Sequence, residues 1–194
     1  MSKGTLTALF ALLACAALPA HAGLYDAYSP DSTRLVLEGG LTGGGDKLAT
    51  VQFTDGDTSS IYAGNSVFGD VGVLHTFGYS GFSFKGTLGY AFDSVHASNG
   101  NFTFDYLPID LMGVYSIGDH HLGAGLTYHA SPKLTLDGFG PDADFDSATG
   151  LVLQYQYWLF AVRYTDIRYK VSSFCNAKCS YDGSSLGFVF SYAF

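Results

Sequence analysis

One pair of side chains in this sequence has the spacing of a hydrolytic site: His129 and Ser131, in Leu126-Thr127-Tyr128-His129-Ala130-Ser131. On a strand, residues i and i+2 share a face, so the imidazole can serve as base to the hydroxyl. Asp137 or Asp110 would supply the orienting acid of a triad. A second set of residues is ionic. Glu38, Lys85, Asp110, His129, Lys133 and Arg163 all fall on the small or polar face of alternating segments. Acids and bases brought together inside a narrow barrel would cross-pair, because an unpaired buried charge costs several kcal/mol, on the order of 3–5. Asp119-His120-His121 has metal-ligand residue types, but adjacent residues on a strand point apart. Cys175 and Cys179 are spaced to close a small disulfide loop, and their loop lacks the two further ligands that a metal would need. No metal or other cofactor is expected.

The elements that position these residues are strands with two unlike faces. In the segment 82–92, Phe82, Phe84, Leu88, Tyr90 and Phe92 oppose Ser83, Lys85, Thr87, Gly89 and Ala91. At the end of the chain Leu186, Phe188, Phe190, Tyr192 and Phe194 oppose Ser185, Gly187, Val189, Ser191 and Ala193. The pattern recurs at Leu35, Leu37 and Leu41, at Leu122, Leu126 and Tyr128, at Leu151, Leu153, Tyr155 and Tyr157, and at Phe160, Val162 and Tyr164. A face of rings and leucines suits hydrocarbon, and a face of glycine, serine and threonine with a few charges suits a narrow wet interior. Composition agrees: aromatics at 16%, 25 glycines and charged residues at only 13% are unusual for a soluble domain. A net charge of -8 and the lack of a basic cluster exclude nucleic acid as a partner.

Eight strands are expected, at roughly 34–54, 58–77, 81–95, 101–116, 121–136, 147–156, 159–172 and 183–194, the later ones near the 9–11 residues needed to cross a tilted path. The first two are longer, which predicts a raised hairpin around Thr54-Asp55-Gly56-Asp57 with Gly43, Gly44 and Gly45 bending its rising strand. Large residues change phase after Phe102, Phe104 and Tyr106, which predicts a bulge at Leu107-Pro108, and again near Asp166 and Ile167. Short joins at Gly78–Ser80, Gly118–His120 and Tyr157-Trp158 alternate with longer connections, as periplasmic turns alternate with extracellular loops.

The N-terminus reads as an export signal. Lys3 precedes an apolar run from Leu6 to Leu18, and Ala20-His21-Ala22 is an A-x-A site, so residues 1–22 are expected to be cleaved and 23–194 to form one domain. Leu12-Leu13-Ala14-Cys15 has the outline of a lipoprotein box, the competing reading of this segment. After it comes no apolar run of about 18 residues that would make a transmembrane helix.

With these strands, this signal and a last strand carrying Tyr192 and Phe194, the chain resembles the small Gram-negative outer-membrane β-barrels, the outer membrane protein A/X-like group. The resemblance implies an all-β, eight-stranded, closed antiparallel barrel in the bacterial outer membrane, in contact with outer-membrane lipid and lipopolysaccharide. It also implies delivery by the barrel-insertion machinery, for which Tyr192 and Phe194 would be the signal; a monomer is expected, with nothing in the sequence that sets the oligomeric state. A non-enzymatic structural or surface-interaction role follows. Two alternatives stand beside it: a narrow channel or small hydrophobic-ligand conduit, and a hydrolase. In His129 and Ser131 alone the chain also resembles the outer-membrane lipid A deacylases. It departs from them in following the serine with Pro132-Lys133 and in placing the pair three strands before the end. Strand phase also puts both side chains on the lumen face, away from the lipid.

Overall fold

A computed structural model describes residues 31–52, 58–97, 100–137, 142–172 and 180–194. Residues 1–22 and the Cys175–Cys179 loop lie outside them. The described residues form β1 (Ser32–Gly44), β2 (Lys47–Gln52), β3 (Thr58–Tyr62), β4 (Ser66–Thr76), β5 (Phe82–Ala97), β6 (Gly100–Ile117), β7 (His120–Asp137), β8 (Ala143–Asp144), β9 (Ala148–Tyr157), β10 (Phe160–Asp166), β11 (Arg168–Lys170), β12 (Ser180–Asp182) and β13 (Ser185–Ala193).

Eight of these strands run in the order β6-β5-β4-β1-β13-β10-β9-β7, and β7 pairs back onto β6, so the sheet has no open edge along its staves. Every pairing is antiparallel. The fold is therefore an all-β, closed, eight-stranded barrel, the solution that satisfies every backbone polar group laterally. β2 and β3 form a separate raised hairpin. The chain bends into it at Gly44 and Gly45, whose φ angles of 141° and 77° lie where a side chain would be strained.

Short turns and long connections sit at opposite ends. Phe77–Gly81, Gly118-Asp119 and Trp158-Leu159 share one end with Thr33 and Phe194, while the β2–β3 hairpin, the β7–β9 connection and β11–β12 share the other. β5, β6 and β7 rise highest, at 16, 18 and 18 residues, against 10 for β9. β5 thus runs to Ala97 and β6 begins at Gly100.

The outer surface carries a belt of exposed rings and leucines, among them Leu37, Phe84, Leu88, Leu111, Leu153, Phe160 and Phe188, the last 76% exposed. Beyond this belt, toward the long connections, the polarity inverts. Phe102, Phe104, Tyr106, Leu134, Phe145, Ile167 and Tyr169 all turn inward into one apolar core. This overturns two expectations. β6 keeps one phase throughout, with even-numbered residues inside, and β10 and β11 alternate without interruption through Ile167. What changes there is the medium outside the wall, from apolar to water, so the large residues change sides without a bulge. The bulge lies on β7: Asp105 and Leu107 of β6 face Lys133 and Ala130, three steps against two, and Ser131 takes a φ of 48°.

Candidate functional site

The lumen at mid-height is filled by one ionic cluster. Glu38 on β1, Asp70 on β4, Lys85 on β5, Asp110 on β6 and Arg163 on β10 are all buried. Strand alternation puts each on the inner face, and the small residues around them give the room. Gly89, opposite Asp70 in the β4–β5 register, is the clearest case: a Cβ there would lie 1.8 Å from the Asp70 Oδ1.

Arg163 is the hub. Its Nη2 donates to the Glu38 Oε2 at 2.5 Å, its Nη1 to Asp110 at 3.2 Å and Asp70 at 3.4 Å, and its Nε to the Gln154 Oε1 at 3.0 Å. The Lys85 Nζ donates to the other Glu38 oxygen at 2.8 Å. Three carboxylates thus share two cations, and among the described residues the Asp70 Oδ1 has no hydrogen-bond partner. Such a guanidinium fork ties β10 to β1, β4, β6 and β9 at once, which a lysine could not do.

Packed side chains lie on both sides of the cluster. Toward the long connections the Phe68 ring lies 5.1 Å from the Arg163 guanidinium carbon, a cation–π contact that joins the charges to the apolar core above. In that core His129 stacks on Tyr106 at 4.2 Å, and its Nδ1 is 2.5 Å from the Tyr169 hydroxyl. Toward the short turns, Met112, Val114 and Val152 form one small apolar cluster and Val36, Leu74 and Ala193 another, with Ser116, His121 and Gln156 also buried. A cavity of about 10 Å³ remains there, between Lys85, Met112 and His121, the size of a single water.

Of the six ionisable residues expected in the lumen, Glu38, Lys85, Asp110 and Arg163 are brought together. His129 is buried one layer higher, among rings. Lys133 is a correction: the β7 bulge turns it outward, where its side chain is 43% exposed and pairs with Asp142 at 2.9 Å. Their hydrogen bond raises the Lys133 pKa and lowers that of Asp142. Asp70 was not anticipated, and Gln154, on the inner face, joins the charges as a neutral partner. The strand that carries Asp70 has Val67, Val71 and Val73 outside and Phe68 and Leu74 inside, so size gave no contrast between its faces.

The same bulge dissolves the hydrolytic pair. His129 is buried while Ser131 is exposed, its N–H bonded to the Ser147 hydroxyl at 3.2 Å, so the two side chains do not share a face. Asp110 is held by Arg163, and Asp137 is exposed at the strand end. His120 and His121 point apart, toward Tyr155 at 2.8 Å and Ser116 at 2.9 Å. In the β7–β9 connection Asp142, Asp144 and Asp146 face outward, while Phe145 enters the core. Phe194 is exposed on the outer face beside Tyr192, 5.6 Å between ring centroids.

No family model matches this chain, and no curated protein matches it in sequence. Among solved structures it is similar to Ail, the attachment invasion locus protein of Yersinia pestis, crystallised with the heparin analogue sucrose octasulfate. That likeness has 12% identity over 84% of this chain and 100% of that one, at a TM-score of 0.42. It is also similar to Neisserial surface protein A, with 9% identity over 84% of this chain and 99% of that one, at a TM-score of 0.44. Identities and scores this low carry no property of either protein over to this chain.

Proposed function

We propose that this protein is a bacterial outer-membrane β-barrel, sealed to solutes, whose role is exercised by the tier of strands and loops outside the membrane. The observation that supports it is the layered filling of the lumen beneath an inverted apolar core, behind a wall whose outer belt is apolar. A channel needs a continuous wet path, and here charges, rings and aliphatic side chains alternate along the axis with water-sized space between them. A surface tier with its own core is what a structural or surface-interaction protein requires, since specificity resides in loops held by a rigid scaffold.

On this reading residues 1–22 direct export, Cys175 and Cys179 close a disulfide in an outside loop, and Tyr192 and Phe194 present the last strand to the insertion machinery. Outer-membrane lipid covers the belt, and the barrel works as a monomer without cofactor. The test is electrical. Purified protein refolded into a planar bilayer in concentrated potassium chloride is expected to give no discrete current steps. Regular steps from the folded protein would replace the sealed reading with the conduit.

A further inference from the structure

Above the belt the strands continue as a ring, and one hairpin stands outside its ladder. β6 is bonded there to β5 and β7, and β7 to β8. The chain after β8 reaches β11 through the Asp146 N–H, which donates to the Lys170 carbonyl at 2.8 Å, and the Ser172 N–H, which donates to the Asp144 carbonyl at 3.0 Å. β11 in turn pairs with β12. β2 and β3 pair only with each other. On one flank, the β4 ladder on β5 reaches only as far as Phe92, although β5 runs on to Ala97. On the other flank the contact with β12 lies at the foot of the hairpin. There the Asp46 N–H donates to the Asp182 carbonyl at 2.6 Å, and the Asp46 Oδ2 accepts the Asp182 N–H at 2.8 Å.

Both strands of the hairpin bend at one level, at Gly44-Gly45 and at Gly64. The backbones cross so closely there that a Cβ on Gly64 would lie 2.7 Å from the Ser184 carbonyl oxygen and 2.9 Å from Gly44. Below this line the chain is tied to the wall: the Thr42 hydroxyl donates to the Gly64 carbonyl at 2.8 Å, and the Gly44 N–H to the Asn65 Oδ1 at 3.1 Å. Above it, the Ala63 N–H bond to the Asp46 carbonyl at 2.8 Å and the β2–β3 register hold the two strands to each other. A crossing built of glycines has few side chains to resist rotation, whereas the paired strands above it are stiff. The hairpin therefore moves as one body about this crossing.

It leans over the lumen. β3 touches β6, one strand beyond β5 in the ring, and Ile61 and Ala63 are fully buried in the same apolar core as Phe102 and Phe104, with Leu48 and Ala49 packed against it. Side-chain burial, chiefly that of Ile61, closes what no ladder closes. We infer that β2–β3 is a hinged cap on the outer core, held shut by Ile61 and the Asp46–Asp182 pair, and that it opens as a unit while the ring beneath it stays paired. The inference rests on the reading of this tier as the working part of the protein and adds its regulation: the apolar surface under the cap is offered to the outside only in the open state.

Hydrogen exchange of the folded full chain in detergent, resolved to single amides, tests it. The amides of β2 and β3 are expected to share one opening rate, about tenfold or more above that of the Phe102–Asp105 amides of β6. Ile61→Ala should raise the shared rate about a hundredfold and Asp46→Ala about tenfold, with Asp46→Asn close to the parent because it keeps an oxygen acceptor. The β6 and β7 amides should not change in any of them. A hairpin as slow to exchange as β6 would overturn the cap. So would an Ile61→Ala protein in which β6, β7 and β11 quicken by the same factor as the hairpin, since the tier would then open only as a whole. The heat-sensitive gel shift shows that each variant has folded. Current steps in the planar bilayer would remove the sealed reading and leave the cap standing, whereas a silent bilayer with no separate opening of the hairpin removes the cap alone.

Discussion

Arg163→Ala is expected to destabilise the folded barrel by about 3–5 kcal/mol, the usual consequence of removing one partner from a buried ionic cluster. The substitution deletes four hydrogen bonds at once and leaves Glu38, Asp70 and Asp110 facing Lys85 alone. It also removes the cation beneath the Phe68 ring. The measurement is a urea titration of the refolded protein in lipid vesicles, following the heat-sensitive gel band, where the loss shows as a lower midpoint. Arg163→Lys should fall between the two, because it keeps the charge and loses the fork. The fivefold variant Arg163→Met, Lys85→Met, Glu38→Gln, Asp70→Asn, Asp110→Asn should recover much of the loss, since an ionic cluster replaced as a whole by neutral groups of similar volume is often no less stable. An unchanged midpoint in Arg163→Ala would mean that the lumen is wet at this level, which would also weaken the sealed reading.

The two faces of each wall strand were legible because size and polarity separate them sharply: Phe82, Phe84 and Leu88 against Ser83, Lys85 and Thr87 leave one choice of which side meets the belt. The raised hairpin was legible in its glycines. The phase of Phe102, Phe104 and Tyr106 was misread for a physical reason. Alternation records the contrast between inside and outside, and that contrast reverses along a strand that runs from hydrocarbon into water. Ile167 shows the same reversal on the other side of the barrel. Proline misled in a second way: Pro108 remains in the β6–β7 ladder, and the distortion falls at Ser131-Pro132. That shift moved Lys133 out of the lumen and separated His129 from Ser131. Asp70 had one usable signal, the lone carboxylate of its strand, and recognising its place requires the register that sets Gly89 beside it.

Phe104→Ala should act on the outer tier and leave the membrane wall standing. Phe104 is fully buried, with its ring 5.8 Å from Phe145, 5.7 Å from Tyr169 and 5.7 Å from Tyr106. Truncating a buried phenylalanine removes about 3–5 kcal/mol. The site determines what that loss does. The rings around Phe104 come from β6, from the β7–β9 connection and from β11, elements held together beyond the belt chiefly by this core. Below them the closed ladder and the Arg163 cluster are untouched. The expected result is local opening, because regions supported by fewer buried contacts unfold separately from the rest. Trypsin reads it directly, since Lys133, Arg168 and Lys170 sit on the affected strands. Cleavage at these residues should become faster by an order of magnitude or more in Phe104→Ala, while the gel shift on heating persists and the urea midpoint moves little. Phe104→Leu should restore most of the protection. If Phe104→Ala instead lowered the urea midpoint as far as Arg163→Ala does, the tier and the wall would form one cooperative unit, and outside loops could not be altered without cost to the barrel.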